Sequence, residues 1–164
     1  FNDLRKFGYI KCYKKKAIPE TAEIGVDALD KWFSAKYLLE KSRKKTTEVK
    51  KFIMDQKIVA GIGNIYSDEA LFCAGILPSR RINKISLGEF KELVECLKEV
   101  LREGIKRGGS SYRNFVNSSG KKGKRQNYFN VYGRAGKVCS GCGENIIRKK
   151  IGGRSSCFCP VCQK

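Results

Sequence analysis

Apolar positions recur along the chain in two rhythms: helical spacing between residues 27 and 107, and short strand-like runs after residue 129. Residues 1–26 show neither. There Phe7, Tyr9, Ile10 and Tyr13 sit among lysines, the pattern of a strand or linker, with Pro19 as a break. From Asp27 to about Lys45, Leu29, Trp32, Phe33, Leu38 and Leu39 return at roughly helical intervals. Lysines and Arg43 gather towards the end of that run, where cations suit a helix dipole. Thr46 or Thr47 is placed to cap a second, short helix carrying Val49, Phe52 and Ile53. The glycine-punctuated run from Val59 to Asn64 predicts a turn, and a third helix should run from Asn64 to about Ala74, with Pro78 barring much further extension. The fourth is the clearest: Leu87, Phe90, Val94, Leu97 and Leu101 step by three and four from a Ser86 cap and stop near Gly108-Gly109.

Residues 108–128 are rich in Gly, Ser, Lys and Asn and lack apolar periodicity, so they predict a long loop. Loops of that length within a compact domain are usually functional or disordered. The chain therefore divides into residues 1–26, a linker or the end of a preceding domain; 27–128, a helical domain ending in the 108–128 loop; and 129–164, a small hairpin module. The expected fold class is mainly α, a bundle of about four helices followed by a small β-hairpin.

Charge narrows the class of partner. Thirty-five Lys and Arg face sixteen acids, a formal net charge of +19. Such an excess favours a polyanion, because neutralising phosphates releases condensed counterions. A solubility surface or a membrane-surface binder is the blander alternative. A hydrophobic share of 41% argues against a disordered basic tail. No apolar stretch approaches a membrane span, and no secretory signal opens the sequence. The first residue is Phe1 rather than Met, so the expectation is an interior start, as in a fragment or an excised domain.

Eight cysteines raise the choice between disulfides and metal. Four fall into two matched pairs, Cys139-x-x-Cys142 and Cys159-x-x-Cys162, separated by sixteen residues. Two tight knuckles flanking a hairpin supply four thiolates, which suits tetrahedral Zn²⁺. The chain has no histidine, so a four-sulfur site follows naturally. Cys157 competes by position, but knuckle spacing favours Cys159 and Cys162. Four protein ligands leave no open coordination position, so the ion is structural. The alternatives are a pair of disulfides or a redox dithiol. The remaining cysteines are scattered, which with bound metal points to a reducing cytoplasm.

Several segments, in order and at matching spacing, resemble the formamidopyrimidine-DNA glycosylase family across essentially the whole chain. They are Asp3-x-Arg5-Lys6-Phe7-Gly8, the run from Met54 to Leu71 with Gly61-Ile62-Gly63-Asn64-Ile65-Tyr66 at its centre, Gly108-Gly109-Ser110-Ser111-x-Arg113, Val131-Tyr132-Gly133-Arg134, and Gly153-Arg154-Ser155-Ser156 ahead of Cys159. The Asn-Ile-Tyr-x-Asp-Glu run is closer to this branch than to the related endonuclease VIII branch. The resemblance implies a helix-two-turn-helix domain and a zinc finger serving base-excision DNA repair. Its partner would be double-stranded DNA containing an oxidised purine or an abasic site, bound by a monomer in a bacterial-type, nucleoid-associated cytoplasmic setting.

Residue roles are carried over from the same resemblance. Asn64 would hold a backbone phosphate at a helix start, where unpaired N–H groups favour an anion. Arg154 would clamp phosphate in bidentate fashion. Arg5 would fill the gap left by an extruded nucleotide, and Phe7 would wedge into the stack. Ser110, Arg113 and Asn114 would lie in the loop covering the flipped base, and Lys51 matches a family lysine near the site. Asp68 and Glu69 should point away from the phosphates.

The resemblance also implies a bifunctional glycosylase and AP lyase, in which an N-terminal proline amine attacks the sugar, a glutamate assists, and β,δ-elimination follows. No catalytic residue of that kind occurs in this stretch, which is expected to be inactive alone. Two departures stand out: Gly25-Val26-Asp27-Ala28-Leu29 replaces the family's Gly-Pro-Glu-Pro-Leu, and Arg125 replaces an apolar anchor near the end of the loop. Arg125 is expected either to loosen the loop or to add a phosphate contact. The competing functions are a stand-alone, non-catalytic DNA-binding protein of the same fold and an RNA-binding zinc ribbon; the second leaves the Gly-Ile-Gly-Asn turn unexplained.

Overall fold

A computed structural model describes residues 7–14, 23–111, 116 and 120–164. Four α-helices are present among them, α1 (Ala35–Ser42), α2 (Val49–Ile53), α3 (Asn64–Cys73) and α4 (Leu87–Lys106), with short 3-10 turns at Ile82–Lys84 and Arg125–Tyr128. Two short strands, β1 (Val26–Asp27) and β2 (Val59–Ala60), pair in parallel, and β3 (Ile147–Ile151) and β4 (Arg154–Phe158) form an antiparallel hairpin. The mainly α architecture with a terminal hairpin matches the expectation from the sequence.

The first helix is shorter than its periodicity suggests, beginning at Ala35 rather than Asp27. Asp27 and Asp30 decide this. Their carboxylates accept hydrogen bonds from the backbone N–H of Leu29 and Trp32, folding residues 27–33 into successive turns. Trp32 is consequently 70% exposed, whereas Phe33 and Leu38 are buried. Ser34 takes over as the cap, its hydroxyl accepting from Tyr37 N–H at 3.3 Å. Neither Thr46 nor Thr47 caps α2. The N–H groups of Val49 and Lys50 donate instead to the carbonyls of Arg80 and Pro78, at 2.8 and 3.3 Å. α4 starts as expected, with a reciprocal capping box between Ser86 and Glu89.

One apolar core unites the bundle, with Phe33, Leu38, Phe52, Ile53, Phe90 and Leu97 fully enclosed. A second, smaller core gathers Val131, Ile146 and the thiols of Cys139, Cys157 and Cys159; Phe72 of α3 packs against it. The C-terminus returns to the bundle: Lys164 N–H donates to Gly75 O, and Leu77 N–H to Lys164 O, both at 2.9 Å. Cys73 on α3 and Cys96 on α4 form a disulfide across 23 residues of sequence. Cys73 and Cys96, which look scattered along the chain, are thus paired in the fold, against the expectation of unpaired thiols drawn from their spacing.

Candidate nucleic-acid interface and metal centre

The hairpin is stiffened at both ends. Its turn is Gly152-Gly153, both at positive φ, the backbone a two-residue connection between twisted strands requires. At its base the two Cys-x-x-Cys knuckles converge, bringing the sulfurs of Cys139, Cys142, Cys159 and Cys162 within 4.8 Å of one another. Individual S···S separations are 3.8 Å (Cys139–Cys162) and 3.4 Å (Cys142–Cys159). Tetrahedral zinc with Zn–S near 2.3 Å requires about 3.8 Å between sulfurs, so the donor set fits.

Backbone N–H groups of Gly141 and Cys162 point at Cys139 Sγ and Cys159 Sγ, each at 3.4 Å. Burial raises the Cys159 thiol, but the N–H groups of Cys162 and Val161 and the neighbouring thiols outweigh it and bring Cys159 to about 7. Cys162 is pushed up to about 12, chiefly by its bond with Cys142. Four thiolates this close need a cation to coexist. Cys157 is not part of the cluster; its N–H donates to Asp68 Oδ2 at 3.0 Å.

A polar junction joins this module to the bundle. Lys50, 1% exposed, reaches from α2 to pair with Asp68 of α3 at 2.7 Å. Its ammonium also donates to Ser156 Oγ and Ser155 O of β4. Ser156 Oγ in turn donates to Asp68 Oδ1 at 2.7 Å. Burial pushes Lys50 down and Asp68 up, each opposed by their mutual attraction. Asn64, at the first turn of α3, donates its amide to Ser155 O at 3.0 Å. The helix start therefore lies against the residue that follows Arg154, whose side chain is exposed. Lys45, Lys50, Lys51 and Arg154 line a cleft of about 560 Å³ alongside.

Glu69, one residue further along α3, is buried differently. Its carboxylate accepts from the N–H groups of Asn130, Val131 and Tyr132 at 2.9–3.1 Å, closing the segment that enters the hairpin module. Both acids thus turn inward, as expected. Lys50 was invisible as a site residue because it reads as one more surface lysine. No local signal singles it out, because Lys51 stands in the same interval between buried Val49 and Phe52 and is exposed.

The 108–128 loop is closed at a narrow neck. Ser111 N–H donates to Gln126 Oε1, Gly123 N–H to Ser111 Oγ, and Arg125 N–H to Gly109 O. A Cβ on Gly123 would stand 2.1 Å from Gly109 O, so the two arms approach too closely for any side chain. Ser110 shares a 3.2 Å hydrogen bond with Tyr66 of α3, which ties the neck to the helix bearing Asn64.

The Formamidopyrimidine-DNA glycosylase H2TH domain family matches residues 24–116, more than half of the chain. The chain belongs to this family. A formamidopyrimidine-DNA glycosylase of Magnetococcus marinus is 41% identical over 99% of this chain and 61% of its own length. One of Serratia proteamaculans is 43% identical, covering all of this chain and again 61% of the relative. The H2TH-family chain thus spans about six tenths of the curated relatives it matches. Solved structures of the family are similar, two of them as follows. The MutM (Fpg) protein of Thermus thermophilus has a TM-score of 0.88 and 33% identity, over 98% of this chain and 62% of that one. The Lactococcus lactis Fpg in complex with an abasic site containing DNA has a TM-score of 0.81 and 40% identity, over 88% and 53%.

Against the family's pattern, the fold sets Asn64 against the carbonyl of Ser155, next to Arg154 in the chain, and places Lys51 and Arg154 along one cleft. Ser110 sits at the loop neck, and Phe7 is 81% exposed. Arg5, Arg113 and Asn114 lie outside the described residues. Arg125 departs from its expectation. It is 5% exposed, with its guanidinium turned into the protein, so it neither loosens the neck nor faces a phosphate.

Proposed function

We propose that this chain is the DNA-binding part of a base-excision repair enzyme, a bifunctional formamidopyrimidine/8-oxoguanine DNA glycosylase with AP lyase activity. The observation that carries the reading is the Asn64–Ser155 hydrogen bond. It sets the N-terminal end of α3, with its unpaired backbone N–H groups, beside the strand that presents Arg154. One hydrogen of the Asn64 amide goes to Ser155 O, and the second is left to donate to a phosphate oxygen. Helix N–H groups favour the same anion. The guanidinium of Arg154 grips a neighbouring phosphate oxygen pair. Four thiolates hold one structural Zn²⁺, which fixes the hairpin and so the position of Arg154.

Damage recognition falls to other residues. Ser110, Arg113 and Asn114 cover a displaced nucleotide, Arg5 and Phe7 fill the stack it leaves, and Lys51 lies along the backbone path. The partner is duplex DNA carrying an oxidised purine or abasic site, bound by a monomer in the cytoplasm. The amine and carboxylate that perform bond cleavage are not among these 164 residues, so the chain alone binds without cleaving. Borohydride trapping on an abasic duplex tests that statement; a covalent adduct with this chain would overturn it.

The binding statement has its own test. Asn64→Ala or Arg154→Ala should weaken damaged and undamaged duplex alike and lower the salt slope by about one for each phosphate no longer engaged. Wild-type affinity and salt slope in both variants would refute the assignment.

A further inference from the structure

Arg125 is a buried cation at the loop neck whose role no phosphate contact explains. Its Nη1 donates to Tyr128 O at 2.5 Å, and its Nη2 stands 4.0 Å from Glu69 Oε2. The guanidinium carbon lies 5.6 Å from the centre of the Phe129 ring. Its backbone N–H meanwhile donates to Gly109 O on the opposite arm of the loop. One residue therefore touches both arms of the neck and helix α3. Its Nε is buried and has no partner.

That orphaned donor is informative. An apolar side chain of similar volume would fill the space without a buried unsatisfied N–H, and Glu69 would keep its three backbone donors. The arginine is therefore a poor choice for packing alone. What it supplies is registry: the bond to Tyr128 O, three residues on, holds the guanidinium within its own turn, and the buried ion pair with Glu69 at 4.0 Å ties that turn to α3.

We propose that Arg125 is a positioning residue: through its buried ion pair with the Glu69 carboxylate it fixes the neck of the loop on the helix that carries Asn64, and so sets the chain's preference for a displaced nucleotide over intact duplex. This rests on the DNA-binding reading above. Arg125 touches no DNA itself. It aligns Ser110, at the neck, with the phosphates gripped from α3.

The test is a pair of titrations on the full chain with its metal, using intact duplex and the same duplex with a tetrahydrofuran abasic-site analogue. R125M should hold intact duplex within about twofold of wild type but lose roughly tenfold of its preference for the abasic duplex, with R125K between the two. Its unfolding temperature should stay near the wild-type value. An unchanged preference in folded R125M, or equal losses on both duplexes, would overturn the proposal.

If R125M does not fold, the same ratio measured on R125K and R125Q decides. Trypsin cleavage after Lys121 and Lys122 in the absence of DNA gives a separate readout, and R125M should be cut faster. Faster cutting in R125M, together with N64A and R154A that leave intact-duplex binding untouched, would refute the DNA-binding reading while upholding the seat of the loop. Unchanged cutting and an unchanged ratio would remove Arg125 from both.

Discussion

The helical bundle and the hairpin module sit side by side but are held together by different means. In the bundle, Phe33, Leu38, Phe52, Ile53, Phe90 and Leu97 exclude water from a single interior, and the hydrophobic effect suffices. In the module, the apolar cluster is little more than Val131 and Ile146 among thiols, with Phe72 borrowed from the bundle. Thirty-odd residues cannot enclose a core of their own, so cross-links to a cation must replace burial. Between the two lies an interface that is neither apolar nor metallic. Lys50, Asp68 and Ser156 form a dry polar knot whose members are paired on every side. Such a junction gives orientation rather than adhesion, which suits the proposed phosphate site, where Asn64 and Arg154 would have to keep a set separation.

The sharpest way to break the comparison is to remove the metal. Chelation should abolish the hairpin and phosphate binding while leaving most helical circular dichroism in place. A single cooperative loss of both signals would mean that the two regions are one folding unit.

Next in size is the junction. Asp68→Asn strands the Lys50 ammonium in a buried site, and breaking such a pair costs about 3–5 kcal/mol in denaturant unfolding. Replacing both partners with apolar residues should recover much of that stability. If the loss in D68N is instead below ~1 kcal/mol, the knot is wetter than its burial implies.

The disulfide comes third. Reduction of Cys73–Cys96, or C96A, releases a crosslink spanning 23 residues and should cost the bundle about 3 kcal/mol. Zinc content should not change in C96A, which would separate this staple from the thiolate cluster.

The smallest expected effect is electrostatic and centres on Arg80 of the bundle, whose guanidinium also donates to Lys164 O. Arg80, hydrogen-bonded to Glu89, holds that carboxyl down at about 2. Because the folded value lies below the unfolded one, its stabilisation is complete above about 4.5 and is lost as the pH falls through about 2. Acid unfolding of E89Q should lack this component when compared with wild type. Identical profiles for the two would assign the acid sensitivity to the thiolates and to other carboxylates.

Much of this architecture is legible in the order of residues. Helix α4 begins at Leu87 because a capping serine precedes a strong apolar period, and α3 begins at Asn64 because turn glycines precede it, although its buried run from Ser67 to Leu71 has no apolar period of its own. The four ligands are legible for the same reason, since a Cys-x-x-Cys knuckle is a local structure. The first helix misleads, because a local Asx turn and a helix compete over the same residues, and Asp27 and Asp30 settle the matter through two hydrogen bonds. Lys50 and Arg125 escape because their partners lie 18 and 56 residues away, at Asp68 and Glu69.

Sequence alone determined the local matters: the helix starts, the knuckles, the positive charge and the family motifs. Each is governed by neighbours within a turn or two, and short-range sterics and periodicity are written directly in residue order. Only the tertiary structure decided which cations are free to meet a phosphate and which are already committed inside. A lysine or arginine carries the same formal charge wherever it stands, and burial against a distant carboxylate changes what that charge can do.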